Sequence, residues 1–217
     1  MYEGSPALAP QYEDLERLYN LIIEKRATTV LEFGCGYSTI VITKALAENK
    51  KWFEALPEKP EVRNLNLWEC HSIDTNEKWT NVISGLCDAT LYKRICCSVG
   101  WRNMTCTAYS AMPQITPDFI YIDGPDPNQV IGGYYDMPMS ADLLGMEPIL
   151  IPGTTVLIDG RTNNARFLRR NLQRTWCFLE NQEEDYTLMN LQEPRLGKIN
   201  ACGRDILEWI RDNDTKN

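Results

Sequence analysis

Hydrophobic and polar positions recur along the chain with two different periods, and the change of period separates helices from strands. Leu15, Leu18, Tyr19 and Ile22 follow helical spacing, which predicts a helix with one apolar face over residues 10–26. Short apolar runs bounded by turn residues predict buried strands that alternate with further helices. The predicted strands cover residues 28–33, 67–73, 117–124 and 154–160, and the predicted helices cover residues 37–49, 75–92, 140–150 and 162–174.

The remaining segments complete the predicted architecture. Residues 50–66 contain two prolines and mixed charge, which predicts a loop or a short excursion, and residues 94–109 are β-rich and predict a strand pair around "GWRN". The runs "WCFLE" and "YTLMNLQE" predict a closing antiparallel pair, and "CGRDILEWIRD" predicts a last short helix. Strands that alternate with helices imply βαβ units. We therefore expect one α/β domain over residues 1–217, with a seven-stranded, mostly parallel sheet and an antiparallel C-terminal strand. Residues 1–27 of this domain are expected to form an N-terminal helical extension.

Composition narrows the range of partners. The net charge of −8 disfavours binding to a phosphate backbone, so we expect no nucleic-acid partner. No apolar run approaches the roughly 20 residues of a membrane span, and the N-terminus lacks the basic start and apolar core of a secretory signal, which predicts a cytoplasmic protein. None of the eight cysteines is spaced C-x-x-C, which argues against a zinc or thioredoxin-like site and favours buried free thiols.

Four predicted strands end in an acidic residue. Glu32, Asp74, Asp123 and Asp159 each stand at or directly after the carboxyl end of a strand. Open parallel sheets bind ligands beyond these ends of their strands. The four carboxylates are therefore expected to line one crevice.

The first of these strands leads into the sequence "TTVLEFGCGYST", which suits a bound ligand. Gly34 and Gly36 lack Cβ atoms, so the turn can bend sharply and a ligand can approach its backbone. The helix that follows directs free N–H groups at the same place, which suits a carboxylate or phosphate, while Glu32 complements a cation. A ligand with both an ammonium and a carboxylate group satisfies these features, and Asp74 can accept hydrogen bonds from a ribose.

A nicotinamide dinucleotide is the rival ligand for this turn. Its fingerprint is G-x-G-x-x-G with an acidic residue about 20 residues further on. Here Thr39 stands in place of the third glycine, and Asp74 lies well beyond that spacing. The insertion 50–66 explains the second discrepancy but not the first.

The segment "VLEFGCGYST" resembles the first motif of the class I S-adenosylmethionine-dependent methyltransferases, whose form is acid-x-Gly-x-Gly-x-Ser/Thr, and "DFIYIDGP" resembles their fourth-strand motif. The resemblance implies a Rossmann-like, doubly wound fold, S-adenosylmethionine as cofactor, Glu32 facing the methionine amino group, and Asp123 beside the reactive methyl. It further implies that the turn after the first strand surrounds the methionine and sulfonium, and that Asp74 after the second strand binds the ribose. The cofactor-binding residues would then include Gly34, Cys35, Gly36, Tyr37, Ser38, Asp74 and Thr75.

Within that superfamily, "YIDG" and "VLIDG" are similar to small-molecule O-methyltransferases, which often bind Mg²⁺ through acids after strands four and five. Asp123 and Asp159 match two of those ligands, but Gly160 replaces the third, and the family's lysine base is missing. Two carboxylates with waters can still hold Mg²⁺, so metal dependence stays open. Asp123 and Asp159 are the candidate catalytic bases.

Residues 125–148 are predicted to form a substrate lid, in which Tyr134 and Tyr135 supply flat apolar contacts; the alternative is a plain surface loop. Arg161 is placed at the mouth of the crevice to bind an anionic group of the substrate, unless it pairs with the protein's own acids. The predicted function is methyl transfer to an oxygen of a small polar molecule. The alternatives are an NAD-dependent oxidoreductase and a non-catalytic cofactor-binding member of the fold, and a homo-oligomer stays open.

Overall fold

The structure is a computed structural model that describes residues 11–62, 64–132 and 140–192. Within these ranges the helices are α1 (Tyr12–Lys25), α2 (Tyr37–Glu54), α3 (Glu77–Ser84), α4 (Asp142–Met146) and α5 (Thr162–Asn171). The strands are β1 (Thr29–Phe33), β2 (Glu69–Asp74), β3 (Thr90–Lys93), β4 (Cys96–Trp101), β5 (Met104–Tyr109), β6 (Phe119–Ile122), β7 (Thr155–Asp159), β8 (Trp176–Asn181) and β9 (Tyr186–Leu191).

Seven of these strands form one sheet in the order β3-β2-β1-β6-β7-β9-β8. The pairs β1–β2, β2–β3, β1–β6 and β6–β7 are parallel, whereas β9 runs antiparallel to both β7 and β8. The order reverses at β1, which therefore lies at the topological switch point of the sheet. The predicted α/β fold with a mostly parallel sheet and an antiparallel C-terminal strand is confirmed.

Each face of the sheet is covered by a different set of elements. Leu18 and Ile22 of α1 and Ile42 of α2 are fully buried against Val30 and its neighbours on one face. The opposite face packs against α4, α5 and the strands β4 and β5, with residues such as Phe167 in that core. Strand residues alternate between the two faces, so the five buried positions of β1 serve both cores.

Two predicted boundaries are wrong, and both errors concern tertiary contacts. Helix α2 continues to Glu54 through residues predicted as a loop, because Phe53 packs against the ring of Trp68 and Arg26 lies over the ring of Trp52. Residues 90–92 form the edge strand β3 and not the end of a helix, since α3 ends at Ser84. In both segments, contacts with residues distant in sequence decide the secondary structure, and the local pattern of hydrophobic and polar residues matters less.

The predicted strand pair around "GWRN" is present as the antiparallel strands β4 and β5. They form a separate two-stranded sheet within the connection between β3 and β6. Within the described ranges, every helix is too short or too polar to cross a membrane. The predicted C-terminal helix within 202–212 and the predicted lid residues Tyr134 and Tyr135 lie outside the described residues.

Candidate active site

The register of the sheet places three acidic residues in one row with the first glycine. Phe33 pairs with Ile73 on one side and Ile122 on the other, and Ile122 pairs with Ile158. One residue further along each strand, the row reads Asp74, Gly34, Asp123 and Asp159. Neighbouring strands are about 4.8 Å apart, so Asp123 and Asp159 are adjacent and Asp74 lies one strand beyond Gly34.

Glu32 lies two residues before Gly34 on β1, below this row, where it is fully buried. Its carboxylate accepts hydrogen bonds from the hydroxyls of Ser38 (2.5 Å), Thr39 (2.6 Å) and Ser72 (2.6 Å). Burial raises the pKa of Glu32 to about 7, although the three hydroxyls act in the opposite direction. Glu32 therefore ties the start of α2 and strand β2 to β1, directly beneath the crevice.

The turn after β1 owes its shape to two glycines that touch. Gly34 has a φ of +103°, which L side chains rarely adopt, and its N–H donates to the Ile73 carbonyl at 2.9 Å. A Cβ on Gly124 would lie 2.5 Å from the nitrogen of Gly34, so the turns after β1 and β6 pack backbone against backbone. The space beside Gly34 is thus filled by the protein itself.

Gly36 differs, because a Cβ built on it would meet nothing within 4 Å. It is the N-cap of α2, and its N–H donates to the Thr39 hydroxyl at 3.1 Å. The first N–H groups of an α-helix have no i−4 partner within the helix, and α2 begins beside this unfilled space. The backbone at Gly36 is therefore the part of the turn that a ligand can approach.

Asp74 connects this turn to the end of β2. One of its carboxylate oxygens accepts from the N–H of Cys35 at 2.7 Å and the other from the N–H of Asn76 at 2.6 Å. Burial raises the pKa of Asp74, and the backbone donors act against that shift. A carboxylate has about four acceptor positions, so Asp74 keeps free positions for hydroxyl groups of a ligand.

A cleft of about 500 Å³ opens next to Asp74. The ends of β2 and β3 supply Thr75, Asn76 and Arg94 to its walls, and the segment after β6 supplies Gln129. The Thr75 hydroxyl is hydrogen-bonded to the Gln129 side chain, which closes one side of the cleft. A larger pocket of about 850 Å³ lies at the opposite edge, where it is lined by Asn64 and other residues around the amino ends of the strands.

Asp123 lies at the tip of β6 beside Arg161. Its side chain is half-exposed, and burial of the rest together with Asp159 raises its pKa to about 6, while Arg161 lowers it. The guanidinium of Arg161 donates to the carbonyls of Asp123 and of Pro125, the latter at 2.9 Å, and its Nε lies 4.0 Å from Asp123 Oδ1. The structure thus brings Arg161 to the crevice, while Arg166 is exposed on α5.

Asp159 is engaged on both of its oxygens. The hydroxyl of Tyr121 donates to Oδ2 at 2.8 Å, and Nη1 of Arg17 in α1 lies 3.8 Å from Oδ1. Burial raises the pKa of Asp159 and the hydrogen bond from Tyr121 lowers it, while Asp14 raises it and Arg17 lowers it by a smaller amount. Asp159 is therefore less free to accept a proton than Asp123.

The pair Asp123 and Asp159 does not fit Mg²⁺. Gly160 supplies no side-chain ligand, and each carboxylate already faces a guanidinium, Arg161 or Arg17. Among the described residues, no group of three or more His, Cys, Asp or Glu side chains is arranged to hold a metal ion. The donors and the neighbouring charges therefore oppose a metal here.

Sequence reasoning missed several residues that shape the site. Gly124 follows an acid at a strand end, as Gly160 does, and this repeated "IDG" is a signal that could have identified it. Arg17, Tyr121 and Gln129 carry no such signal, because they reach the crevice only through packing of α1, alternation within β6 and the course of a loop.

Comparisons with known proteins find likeness at the level of solved structures. No family model matches the chain, and no curated protein matches its sequence. An O-methyltransferase from Streptomyces achromogenes involved in tomaymycin synthesis, solved with S-adenosylmethionine, is 14% identical, with 87% of this chain and 83% of that chain covered and a TM-score of 0.45. A Bacillus cereus O-methyltransferase solved with S-adenosylhomocysteine is 15% identical, with 87% and 84% covered and a TM-score of 0.48. A Podospora anserina methyltransferase solved with S-adenosylhomocysteine is 13% identical, with 85% and 80% covered and a TM-score of 0.49.

Proposed function

We propose that this chain is an S-adenosylmethionine-dependent methyltransferase that acts on an oxygen of a small polar molecule. The observation that carries the proposal is the row Asp74, Gly34, Asp123 and Asp159, together with the open backbone of Gly36 two residues beyond Gly34. An acidic crevice attracts a cationic sulfonium, while the N-terminus of α2 attracts a carboxylate. S-Adenosylmethionine carries both groups, and also a ribose for Asp74.

Different groups of described residues would bind different parts of the cofactor. The first turn of α2, with Tyr37 and Ser38, would hold the methionine carboxylate, and the acids of the row would face its cationic groups. Asp74 would accept the ribose hydroxyls, and the cleft beside Thr75 would take the adenine. Glu32 supports this arrangement from below, since its hydroxyl contacts hold the start of α2 against the strands.

Bound S-adenosylmethionine supplies an electrophilic methyl group on a sulfonium. The protein's part is to hold an acceptor hydroxyl in line with that methyl at about 3 Å and to accept its proton. Asp123 is the better base of the two candidates, because its carboxylate is half-exposed at the crevice. With a pKa of about 6, it is mostly ionised at neutral pH and can take the proton.

The rival dinucleotide fits the same turn less well. Its third glycine would allow the helix to approach the strand closely, but Thr39 stands there, fully buried. The Thr39 hydroxyl donates to Glu32 and accepts from Gly36, so this residue closes the turn. The row of acids would also repel a pyrophosphate.

Calorimetry with S-adenosylhomocysteine tests the proposal. We expect binding to the wild-type protein and a loss of at least about tenfold in affinity for Asp74→Asn, which is roughly 1.4 kcal/mol. Glu58→Gln, an exposed acid in the loop after α2, is the matched control and should bind normally. Absence of binding to the wild type, or NADH binding that S-adenosylhomocysteine does not displace, would overturn the proposal. Binding without turnover of any hydroxyl acceptor would identify a non-catalytic member.

A further inference from the structure

Two buried arginines flank the carboxylates at the ends of β6 and β7. Arg17 approaches from α1, with Nη1 3.8 Å from Asp159 Oδ1, and Arg161 approaches from the turn after β7, with Nε 4.0 Å from Asp123 Oδ1. The side chain of Arg17 is 13% exposed and that of Arg161 is 12% exposed. Each acid of the pair thus has one guanidinium beside it, at a separation somewhat longer than a direct hydrogen bond.

Both arginines are fixed by further contacts that do not involve the two acids. Arg17 forms ion pairs with Asp14 at 3.0 Å and Glu184 at 3.2 Å, and its guanidinium lies over the ring of Tyr186. Arg161 donates to the backbone carbonyls of the turn after β6. The positions of the two cations are therefore set by the fold and do not depend on a ligand.

The two nitrogens that face the acid pair differ in their other partners. Arg161 Nε is buried and makes no hydrogen bond, whereas the buried Arg17 Nη1 forms its ion pair with Asp14 Oδ1 at 3.0 Å. Burying such donors is costly unless they interact favourably with a charge. For Arg161 Nε the interaction that remains in the crevice is the attraction of Asp123, whereas Arg17 Nη1 is shared between Asp14 and the more distant Asp159.

We propose that Arg17 and Arg161 are built-in counter-cations of the Asp123–Asp159 pair, and that they occupy the electrostatic position of a divalent metal ion, so that this site works without one. The inference rests on the proposed function only in taking this pair as the reaction site. An acceptor hydroxyl would then be activated by proton transfer to Asp123 and not by coordination to a metal. The hydroxyl proton passes to the carboxylate while the oxygen–methyl bond forms and the sulfur–methyl bond breaks.

The wild-type protein gives the first test. Mg²⁺ is titrated calorimetrically into the protein saturated with S-adenosylhomocysteine, and the melting temperature is recorded with Mg²⁺ and with EDTA. We expect no saturable binding with a dissociation constant near or below about 1 mM, the range of weak cation sites in proteins, and no change in melting temperature. Saturable Mg²⁺ binding that Asp159→Asn removes would overturn the inference.

Charge-removing variants give the second test. Tb³⁺ is used as the probe, because Tyr121 is hydrogen-bonded to Asp159 and can sensitise its luminescence. The double variant Arg17→Gln with Arg161→Gln should bind Tb³⁺ at least about tenfold more tightly than the wild type, since two cations near the carboxylates are removed. Adding Asp159→Asn should abolish this gain, which separates the site from the acidic surface.

Matched controls separate charge from packing. Arg17→Lys with Arg161→Lys keeps both positive charges and should show no gain in Tb³⁺ affinity, and neither should Arg166→Gln on the exposed side of α5. Circular dichroism checks that each variant folds, and the single Gln variants replace the double variant if it does not. A folded Gln variant without any gain would refute the inference. S-Adenosylhomocysteine binding, measured in parallel, reports on the proposed function independently.

Discussion

Substitution of Gly36 separates ligand binding from folding more cleanly than any other change in the turn. A side chain at this position has open space, with nothing within 4 Å of its Cβ, and the φ of −174° is extended backbone that any residue adopts. Serine is also as good an N-cap residue as glycine or better. Gly36→Ser should therefore change the free energy of unfolding by less than about 1 kcal/mol.

The same substitution should damage cofactor binding severely. If the proposed function holds, the new side chain would fill the space through which the methionine part of the cofactor would reach the N-terminus of α2. We expect S-adenosylhomocysteine to bind at least about tenfold more weakly, which is roughly 1.4 kcal/mol. Calorimetry measures the affinity, and urea unfolding followed by circular dichroism measures the stability.

Gly124 is the matched control, because a substitution there is expected to destabilise the fold. A Cβ there would lie 2.5 Å from the nitrogen and 2.7 Å from the Cα of Gly34, and backbone atoms cannot move aside cheaply. Gly124→Ala should cost about 1–3 kcal/mol of stability or more, as expected for overpacking. The reasoning is refuted if Gly36→Ser binds S-adenosylhomocysteine like the wild type, or if it unfolds as easily as Gly124→Ala.

Three further predictions concern buried polar groups. Burial raises the pKa of Glu32 from its ordinary value of 4.5 to about 7, so the native state binds more protons than the unfolded state and stability falls as pH rises from about 4.5 to 7. Glu32→Gln should flatten that slope in urea unfolding, and an unchanged slope would contradict the assignment. Asp118→Ala removes the acceptor of the Thr28 hydroxyl and of the Thr28 and Thr29 amides, and should cost about 3 kcal/mol or more by the same assay, with a smaller loss counting against it. Tyr109→Phe removes a buried hydroxyl without a hydrogen-bond partner and should leave the melting temperature unchanged or higher; a clear decrease would reveal a missed contact.

The positions of four acidic residues at strand ends could be predicted from the sequence, but their arrangement relative to one another in space could not. Local patterning put Glu32, Asp74, Asp123 and Asp159 at strand ends and predicted one shared crevice. Strand register, which depends on pairing between distant segments, put three of them in one row with Gly34 and left Glu32 two residues below it. Their use by a cofactor and a substrate stays a prediction.

Gly34 and Gly36 also show the difference between what the sequence predicts and what the structure decides. The sequence required small residues at both positions and assigned both to ligand approach. The structure uses Gly34 for a positive φ and for contact with Gly124, and leaves only Gly36 open. That difference depends on the turn after β6, which is far away along the chain and reaches Gly34 only through the parallel pairing of β1 with β6.

By itself the sequence determined the helices and strands with long regular patterns, the fold class and the acidic character of the crevice, because periodicity and turn chemistry act over a few neighbouring residues. Tertiary structure alone decided the strand at residues 90–93, the extension of α2 to Glu54 and the placing of Arg17 against Asp159. These features depend on contacts between distant segments, whose favourable burial and charge pairing outweigh weak local preferences.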